Sequence, residues 1–440
     1  MPCHAELPNR TAAVERALLL VGFLVLFALL PHGLAGDDFT RFADIEQLLH
    51  HGSLSNSRYS ILMPLISAPV LLVGEIVRSP EWWAARFNVI VVAAGALVVF
   101  RLLRDHVDRR VLRQALLLLL FASFLTNRLR DYNAEILSAT LFTLGTVLLV
   151  RGRTLSGWTA IVVGVVNTPA AFVGAVFVAV AEAFRTRRLR HLAVPVAAAL
   201  LIMGEAWIRR GGPLTTGYAH DHGATTILPY SGKPGFSYPF VLGLLSILFS
   251  LGRGLVFFMP GLLFSFSTVT RRLLKEYRYL VLLMLLFVCG LVAIYAKWWG
   301  WYGGLTWGPR FFVFAAVPAS ILLAVRVRHA TELSPTANAL TLLVLVLSGW
   351  VGVSGAVADL STLDFCARND AALEAFCWYT PEFSPLWHPL VTFPELTWRT
   401  EIVVLYCGVV FVWLAAPVVS ALARAVRAHG VESLATGWRL

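Results

Sequence analysis

Twelve apolar runs separated by short polar stretches organise the chain: 17–35, 84–103, 112–127, 135–151, 154–167, 170–184, 191–209, 254–270, 279–296, 311–326, 339–357 and 401–423. Most approach the ~17–25 residues that a helix needs to cross ~30 Å of hydrocarbon, and a few are short. A further run, 61–77, is apolar enough to cross, and its status sets the topology. Counted as a span, it puts the loop with Arg101, Arg104, Arg109, Arg110 and Arg113 outside. Left as a re-entrant or interfacial segment, it keeps that loop inside. Arg151/Arg153, Arg185/Arg187/Arg188/Arg190, Arg271/Arg272/Lys275/Arg278, Arg326/Arg328 and Arg424/Arg427 then lie there too. Six basic clusters share one side in the second solution, as the positive-inside rule requires. The pattern therefore predicts an all-α polytopic membrane protein of about twelve crossings (range 11–13), with both termini cytoplasmic.

Composition agrees. The chain is 58% hydrophobic and 14% charged, with a mean hydropathy of +0.74, against roughly 25% charge in soluble domains. The net charge of +11 comes from the short clusters between runs and forms no basic face for nucleic acid. The polar start, 1–15, leads into a long run that ends at two acids, which reads as an uncleaved first helix in the inner membrane. The expected division is a membrane module over 1–357, with outer loops 36–83 and 297–310, then an outer loop 358–400, then a last helix and cytoplasmic tail over 401–440. No internal repeat is evident.

With this topology every conspicuous polar constellation falls outside. Asp37 and Asp38 follow the first run directly, and acids at a bilayer lip are costly to bury. The pair suggests a base, a metal ligand or a cation path. Phe42, Ile45, Leu48 and Leu49 recur on one face of a helix lying along the interface. An acid capping that helix is the structural alternative, though one cap needs one acid. Arg128, Arg130, Asp131, Tyr132, Asn133 and Glu135 form a second polar knot, where Glu135 also reads as a helix-start acid. The stretch from Lys297 to Arg310 holds four Trp and four Gly. Aromatic faces stack on sugars or sit in the headgroup belt, and the flanking cations suit phosphate or snorkel. Arg253, between Gly252 and Gly254, suits an anionic headgroup or a plain interfacial loop. His220-Asp221-His222 and His50-His51 are weak metal pairs. Glu205 is the one strong acid deep in a span. Cys366 and Cys377 share the last outer loop and predict a disulfide, while Cys3, Cys289 and Cys407 read as structural. No zinc-protease, phosphate-loop or nucleophile-elbow motif occurs.

Together these features resemble the polytopic GT-C glycosyltransferases, which use lipid-phosphate-linked sugars, and within them the branch of the protein O-mannosyltransferases and the lipid A aminoarabinose transferase. Asp37-Asp38, Arg41-Phe42-Ala43-Asp44 and Tyr59-Ser60-Ile61-Leu62-Met63-Pro64-Leu65 stand where that family has its acidic pair, an Arg/aromatic-Ala-acid motif and an extended segment. Glu81 to Phe87 resembles the entry to its second helix, and Tyr132-Asn133-Ala134-Glu135 its second acidic site. Gly252-Arg253-Gly254-Leu255 with Pro260, and Trp307-Gly308-Pro309-Arg310, are similar to two later motifs. The family usually shows Asp-Glu where this chain has Asp-Asp. Gly36 favours Asp37 as the base, and the Arg41-to-Asp44 spacing favours Asp38.

The resemblance implies an inverting transfer from a polyprenyl-phosphate sugar to a glycolipid, glycan or protein acceptor at the outer face. Asp37 or Asp38 would be the general base, with Asp131 and Glu135 as a second acidic site. Arg310, Lys297 and Arg253 would bind the donor phosphate, and Arg41, Tyr59, Trp299, Trp301, Tyr302 and Trp307 the sugar or acceptor. Paired acids permit a divalent metal, yet the branch is described as metal-independent. An Ala/Val/Arg-rich composition like that of actinobacterial proteins suggests mannose or arabinofuranose. A transporter or lipid flippase, and an O-antigen-type polymerase or ligase, are the alternatives.

Overall fold

The computed structural model describes residues 10–218, 221–358, 364–392 and 394–429, and these are helical or irregular, with no strand among them. In chain order the helices are α1 (Arg10–Ala28), α2 (Asp37–His51), α3 (Leu62–Ile76), α4 (Pro80–Leu103), α5 (Arg109–Phe121), α6 (Leu125–Arg128), α7 (Ala134–Val150), α8 (Thr154–Asn167), α9 (Phe172–Thr186) and α10 (Ala193–Arg210). They continue with α11 (Phe240–Phe249), α12 (Leu255–Phe258), α13 (Thr268–Leu273), α14 (Arg278–Tyr295), α15 (Ala316–Arg328), α16 (Pro335–Val357), α17 (Asp364–Ala371), α18 (Glu374–Tyr379) and α19 (Trp398–His429).

Eight segments, built on α1, α4, α9, α10, α14, α15, α16 and α19, are long and apolar enough to cross a membrane. At three further expected crossings α5, α7 and α8 have 13, 17 and 14 residues. The expected crossing at 254–270 is broken into α12, a 3-10 turn Pro260–Phe266 and α13. Pro260 has no N–H to continue α12, and a side chain on Gly261 would strike the Ala319 carbonyl at 2.5 Å. The apolar helix there is α11, upstream of the expected start. Helix length thus does not reproduce the count of about twelve. The first crossing also shifts: α1 stops at Ala28 rather than 35, because Pro31 and Gly33 follow and His32 Nε2 bonds the free Leu26 carbonyl at 2.8 Å.

The run at 61–77 forms α3, of 15 residues. At 1.5 Å per residue it spans about 22 Å, too short to cross alone. It packs on α2 and α4 and leaves Leu65, Leu72, Val73 and Ile76 exposed, as an interfacial helix would. Among the long helices, glycines set the closest approaches. A Cβ on Gly145 of α7 would lie 2.7 Å from the Gly157 carbonyl of α8, and one on Gly290 of α14 would lie 2.6 Å from Gly174 Cα of α9. Lipid supplies little hydrophobic drive between helices, so close backbone contact carries the packing.

Each end of the bundle is tied by charge. Where the basic clusters lie, Glu15 of α1 is fully buried and meets Arg113 of α5 at 2.6 Å, and Arg328 of α15 reaches Asp108 at 2.8 Å. At the opposite end the five polar constellations converge. Asp37 meets Arg310, Asp38 meets Tyr132, Arg58 meets Asp221, and Gly252 bonds Trp378. Glu205, the deep acid that invited a transport reading, has a structural use here. Its carboxylate accepts from Ser60 Oγ and the Ile61 N–H at 3.0 and 2.9 Å. Arg209 lies 2.8 Å from it and 3.5 Å from Asp44. Asp44 in turn accepts from Ser55 and Ser57. One buried arginine thus fastens α10, α2 and the 55–61 segment together. Arg209→Met leaves two carboxylates without their cation and is expected to cost about 3–5 kcal/mol. Thermal unfolding in detergent should show a clear drop for Arg209→Met and a smaller one for Glu205→Gln.

Candidate active site

Helix α2 starts at Asp37 because Gly36, at φ 53°, turns the chain as few other residues can. Gly36 itself is the N-cap and no side chain caps the helix. Neither aspartate is spent on capping, and both carboxylates sit in the first turn at the positive helix end.

The two have different surroundings. Asp37 is partly open, its side chain 22% exposed, and pairs with Arg310 at 2.8 Å. The Tyr59 hydroxyl also donates to it. Burial raises its pKa, but Arg310, Tyr59 and Arg41 outweigh burial and hold the carboxyl below the usual range. Asp38 is 4% exposed and accepts the Tyr132 N–H at 3.1 Å. Burial first, then the nearby Asp131 and Glu135, push it up to about 7 against the pull of Arg41 and Arg128.

Around this pair stand most of the remaining candidates. Arg41 is buried, 3.5 Å from Asp38, with its guanidinium 4.3 Å above the Tyr59 ring. One of its terminal nitrogens has no hydrogen-bond partner. Asp131 is tied to Arg128 at 3.1 Å. Glu135, 6% exposed, opens α7 close enough for Asp38 and Arg310 to feel its charge. Arg310 leaves its Nε unpartnered, and its stem passes Gly303, where a Cβ would lie 2.8 Å from it.

The other candidates divide. Arg253 is 1% exposed and donates to the carbonyls of Thr306, Gly308 and Gly304, so it braces the aromatic loop from behind. Trp301 and Trp307, 1% and 2% exposed, are core side chains. Trp301 lies against Trp378 at 5.5 Å, while Trp307 sits between Phe124 and Phe258 and donates to the Pro385 carbonyl. Their faces are covered by protein, which corrects the expectation of sugar stacking on them. Tyr302 stacks on Trp378 at 4.1 Å and donates to Glu374. Trp299 is half-buried, its indole N–H without a partner. Lys297 is exposed, and its ammonium makes no ion pair among the described residues. Cys366 and Cys377 form a disulfide, Cα–Cα 6.2 Å, that ties α17 to α18, the helix carrying Trp378. Cys289 is exposed and Cys407 buried; Cys3 lies outside the described residues.

Of the weak metal pairs, Asp221 is taken by Arg58 at 2.9 Å, His222 bonds the Gly223 carbonyl, and His220 lies outside the described residues. His50 faces Glu75 at 3.4 Å. No group of three His, Cys, Asp or Glu arranged to hold a metal occurs among the described residues. Glu374 went unnoticed in the sequence because nothing local marks it; only the fold sets it against Tyr302 and Arg253. Burial pushes its carboxyl up to about 7. Arg58 had a signal, its place beside Tyr59, whose hydroxyl accepts its Nε–H at 3.0 Å.

An apolar groove with a cavity volume of about 90 Å³ lies between α4, α5, α7, α14 and α15. At one end are Leu125, Ile136 and Val313, each within a helical turn of Arg128, Glu135 and Arg310. The other end is lined by Leu103, Leu112 and Tyr277, beside the basic clusters.

The helical bundle shares its fold with solved GT-C membrane glycosyltransferases. It resembles the crystal structure of ArnT from Cupriavidus metallidurans bound to undecaprenyl phosphate, with a TM-score of 0.51 and 15% identity over 96% of this chain and 80% of that one. The apo ArnT structure gives 0.51 and 16% over 94% and 77%. At such identity the likeness is one of fold. No protein-family description matches the chain, and no curated protein sequence does.

The buried acids make stability depend on pH. In the folded protein Asp38 and Glu374 stay protonated up to about pH 7, whereas their ordinary values are 3.8 and 4.5. The folded state therefore binds more protons between about pH 4 and 7, and stability falls as pH rises through that window. Asp37, held low, works oppositely and only below its ordinary value of 3.8. Thermal unfolding in detergent across pH 4–8 should show the decline, flattened in part by Asp38→Asn and separately by Glu374→Gln.

Proposed function

We propose that the chain is an inverting glycosyltransferase that moves a sugar from a polyprenyl-phosphate donor to an acceptor hydroxyl at the extracytoplasmic face. The observation that carries this reading is the pairing of Asp37 with Arg310, 2.8 Å apart, at the head of an apolar groove within the bundle. A lipid-linked phosphate needs a cation at the interface and an apolar path below it, and both are adjacent here. The fold shared with ArnT, crystallised with undecaprenyl phosphate, supports the same donor class.

The chemistry follows from the geometry. The acceptor oxygen bonds the anomeric carbon as the carbon–oxygen bond to phosphate breaks, and the departing lipid phosphate keeps that electron pair. A single displacement inverts the anomeric centre. Asp37 takes the acceptor proton as general base. It is the more exposed of the pair and is ionised at neutral pH, whereas Asp38 is buried and half-protonated near pH 7. Arg310 stabilises the negative charge on the leaving phosphate, and its unpartnered Nε is available to it. As the phosphate draws on Arg310, Asp37 loses part of the attraction that lowers its pKa and becomes a better base. Asp38 holds Arg41 and the Tyr132 backbone, and with Asp131 and Glu135 shapes the second acidic site. Arg253 acts indirectly, by fixing the loop that delivers Arg310.

Asp37→Asn should cut transfer by about 10²–10⁴-fold while leaving undecaprenyl phosphate binding intact. Arg310→Met should lose that binding. The readouts are envelope glycolipids from a deletion strain complemented with each variant, and thermal shift of purified protein with undecaprenyl phosphate. Full complementation by the Asp37→Asn/Asp38→Asn double variant would sink the base assignment. Thr143→Trp, which narrows the groove, should weaken binding of undecaprenyl phosphate more than that of a short-chain prenyl phosphate.

A further inference from the structure

The geometry points to an acceptor subsite on the outer loops, an aromatic shelf formed by Tyr218, Trp298 and Phe236 with Arg58 and Asp221, that takes a sugar ring. The acceptor is then a glycan or glycolipid rather than a protein. This rests on the glycosyltransferase reading above and deepens it.

The shelf begins at the reacting group. Tyr59 donates to Asp37, Arg58 donates to the Tyr59 hydroxyl at 3.0 Å, and the Arg58 guanidinium lies 5.2 Å over the Tyr218 ring. The Tyr218 hydroxyl is near enough to Asp37 and Arg310 to feel both charges. From there the Tyr218 ring meets Trp298 edge-on at 6.0 Å, and Trp298 meets Phe236 at 5.1 Å. The rings are held in place by backbone. The Tyr238 N–H bonds the Lys297 carbonyl and the Trp299 N–H bonds the Gly235 carbonyl, each at 3.1 Å.

Unlike Trp301 and Trp307, this surface is partly open: the Tyr218 and Trp298 rings are half-buried and Phe236 is exposed. Phe236 is 54% exposed, and the side chains of Arg58 and Asp221 are 37% and 30% exposed. A sugar ring presents an apolar C–H face and a rim of hydroxyls that both donate and accept. Aromatic faces suit the first, and an arginine–aspartate pair at 2.9 Å offers donors and acceptors together for the second. That pair is neutral overall and so does not select a charged partner.

The test uses the full chain in nanodiscs. Methyl glycosides and trisaccharides of hexopyranose, pentofuranose, amino-sugar and hexuronate types, and a Ser/Thr-rich peptide, are titrated by tryptophan fluorescence and saturation-transfer NMR. At least one saccharide should saturate. Its affinity should fall about fivefold to tenfold in Trp298→Ala and in Phe236→Ser, with undecaprenyl phosphate binding unchanged in both, which also reports folding. Saturation by the peptide alone, saccharide binding indifferent to both substitutions, or no saccharide binding at all would overturn the proposal. Failure of the underlying reading looks different: undecaprenyl phosphate would then not bind, or would bind equally to Arg310→Met.

Discussion

The site depends on one ion pair. Asp37 enters at the start of α2 and Arg310 at the entrance to α15, and their contact at 2.8 Å joins the first interfacial helix to a loop far along the chain. Charges at a bilayer lip are expensive unless partnered, so each of these residues needs the other while no substrate is present. The same requirement recurs nearby. Arg209 serves Asp44 and Glu205, Arg128 serves Asp131, and Arg58 serves Asp221. The end of the bundle is a lattice of paired charges on short loops, and the Asp37–Arg310 and Arg128–Asp131 pairs lie near the head of the apolar groove.

Around that link the fold separates support from chemistry. Arg253 donates through its two terminal nitrogens to three carbonyls of the aromatic loop. Behind it, Trp378 stacks on Tyr302, and the Cys366–Cys377 disulfide clamps the helix that carries Trp378. These residues are buried and pack behind the loop that ends at Arg310. Residues that look alike in the sequence, such as Trp298 and Trp301, belong to different layers: one lies at the surface and the other is fully enclosed.

Much of the architecture was legible because hydropathy and charge are local properties. The placement of α4, α14, α16 and α19 follows from long apolar runs bounded by Pro, Ser or basic residues. The reading of 61–77 as an interfacial segment rests on charge balance and on the resemblance at Glu81–Phe87, and the 15 residues of α3 are consistent with it. Boundaries were less legible. The run at 254–270 looks continuous to any hydropathy window, but Pro260 and the contact of Gly261 with Ala319 break it.

The sequence by itself determined the membrane class and the clustering of polar constellations between apolar runs, and offered Asp37 and Asp38 as candidate acids and Arg310, Lys297 and Arg253 as candidate cations. Those are consequences of composition and short-range order. Only the tertiary structure decided which aspartate is open and which is buried, that Glu205 is a brace, that Trp301 and Trp307 are core, and that Arg58 lies between Tyr59 and Tyr218. Exposure and pairing depend on groups hundreds of residues apart, such as Asp37 and Arg310 or Arg130 and Ala358. No local pattern encodes which of them will meet.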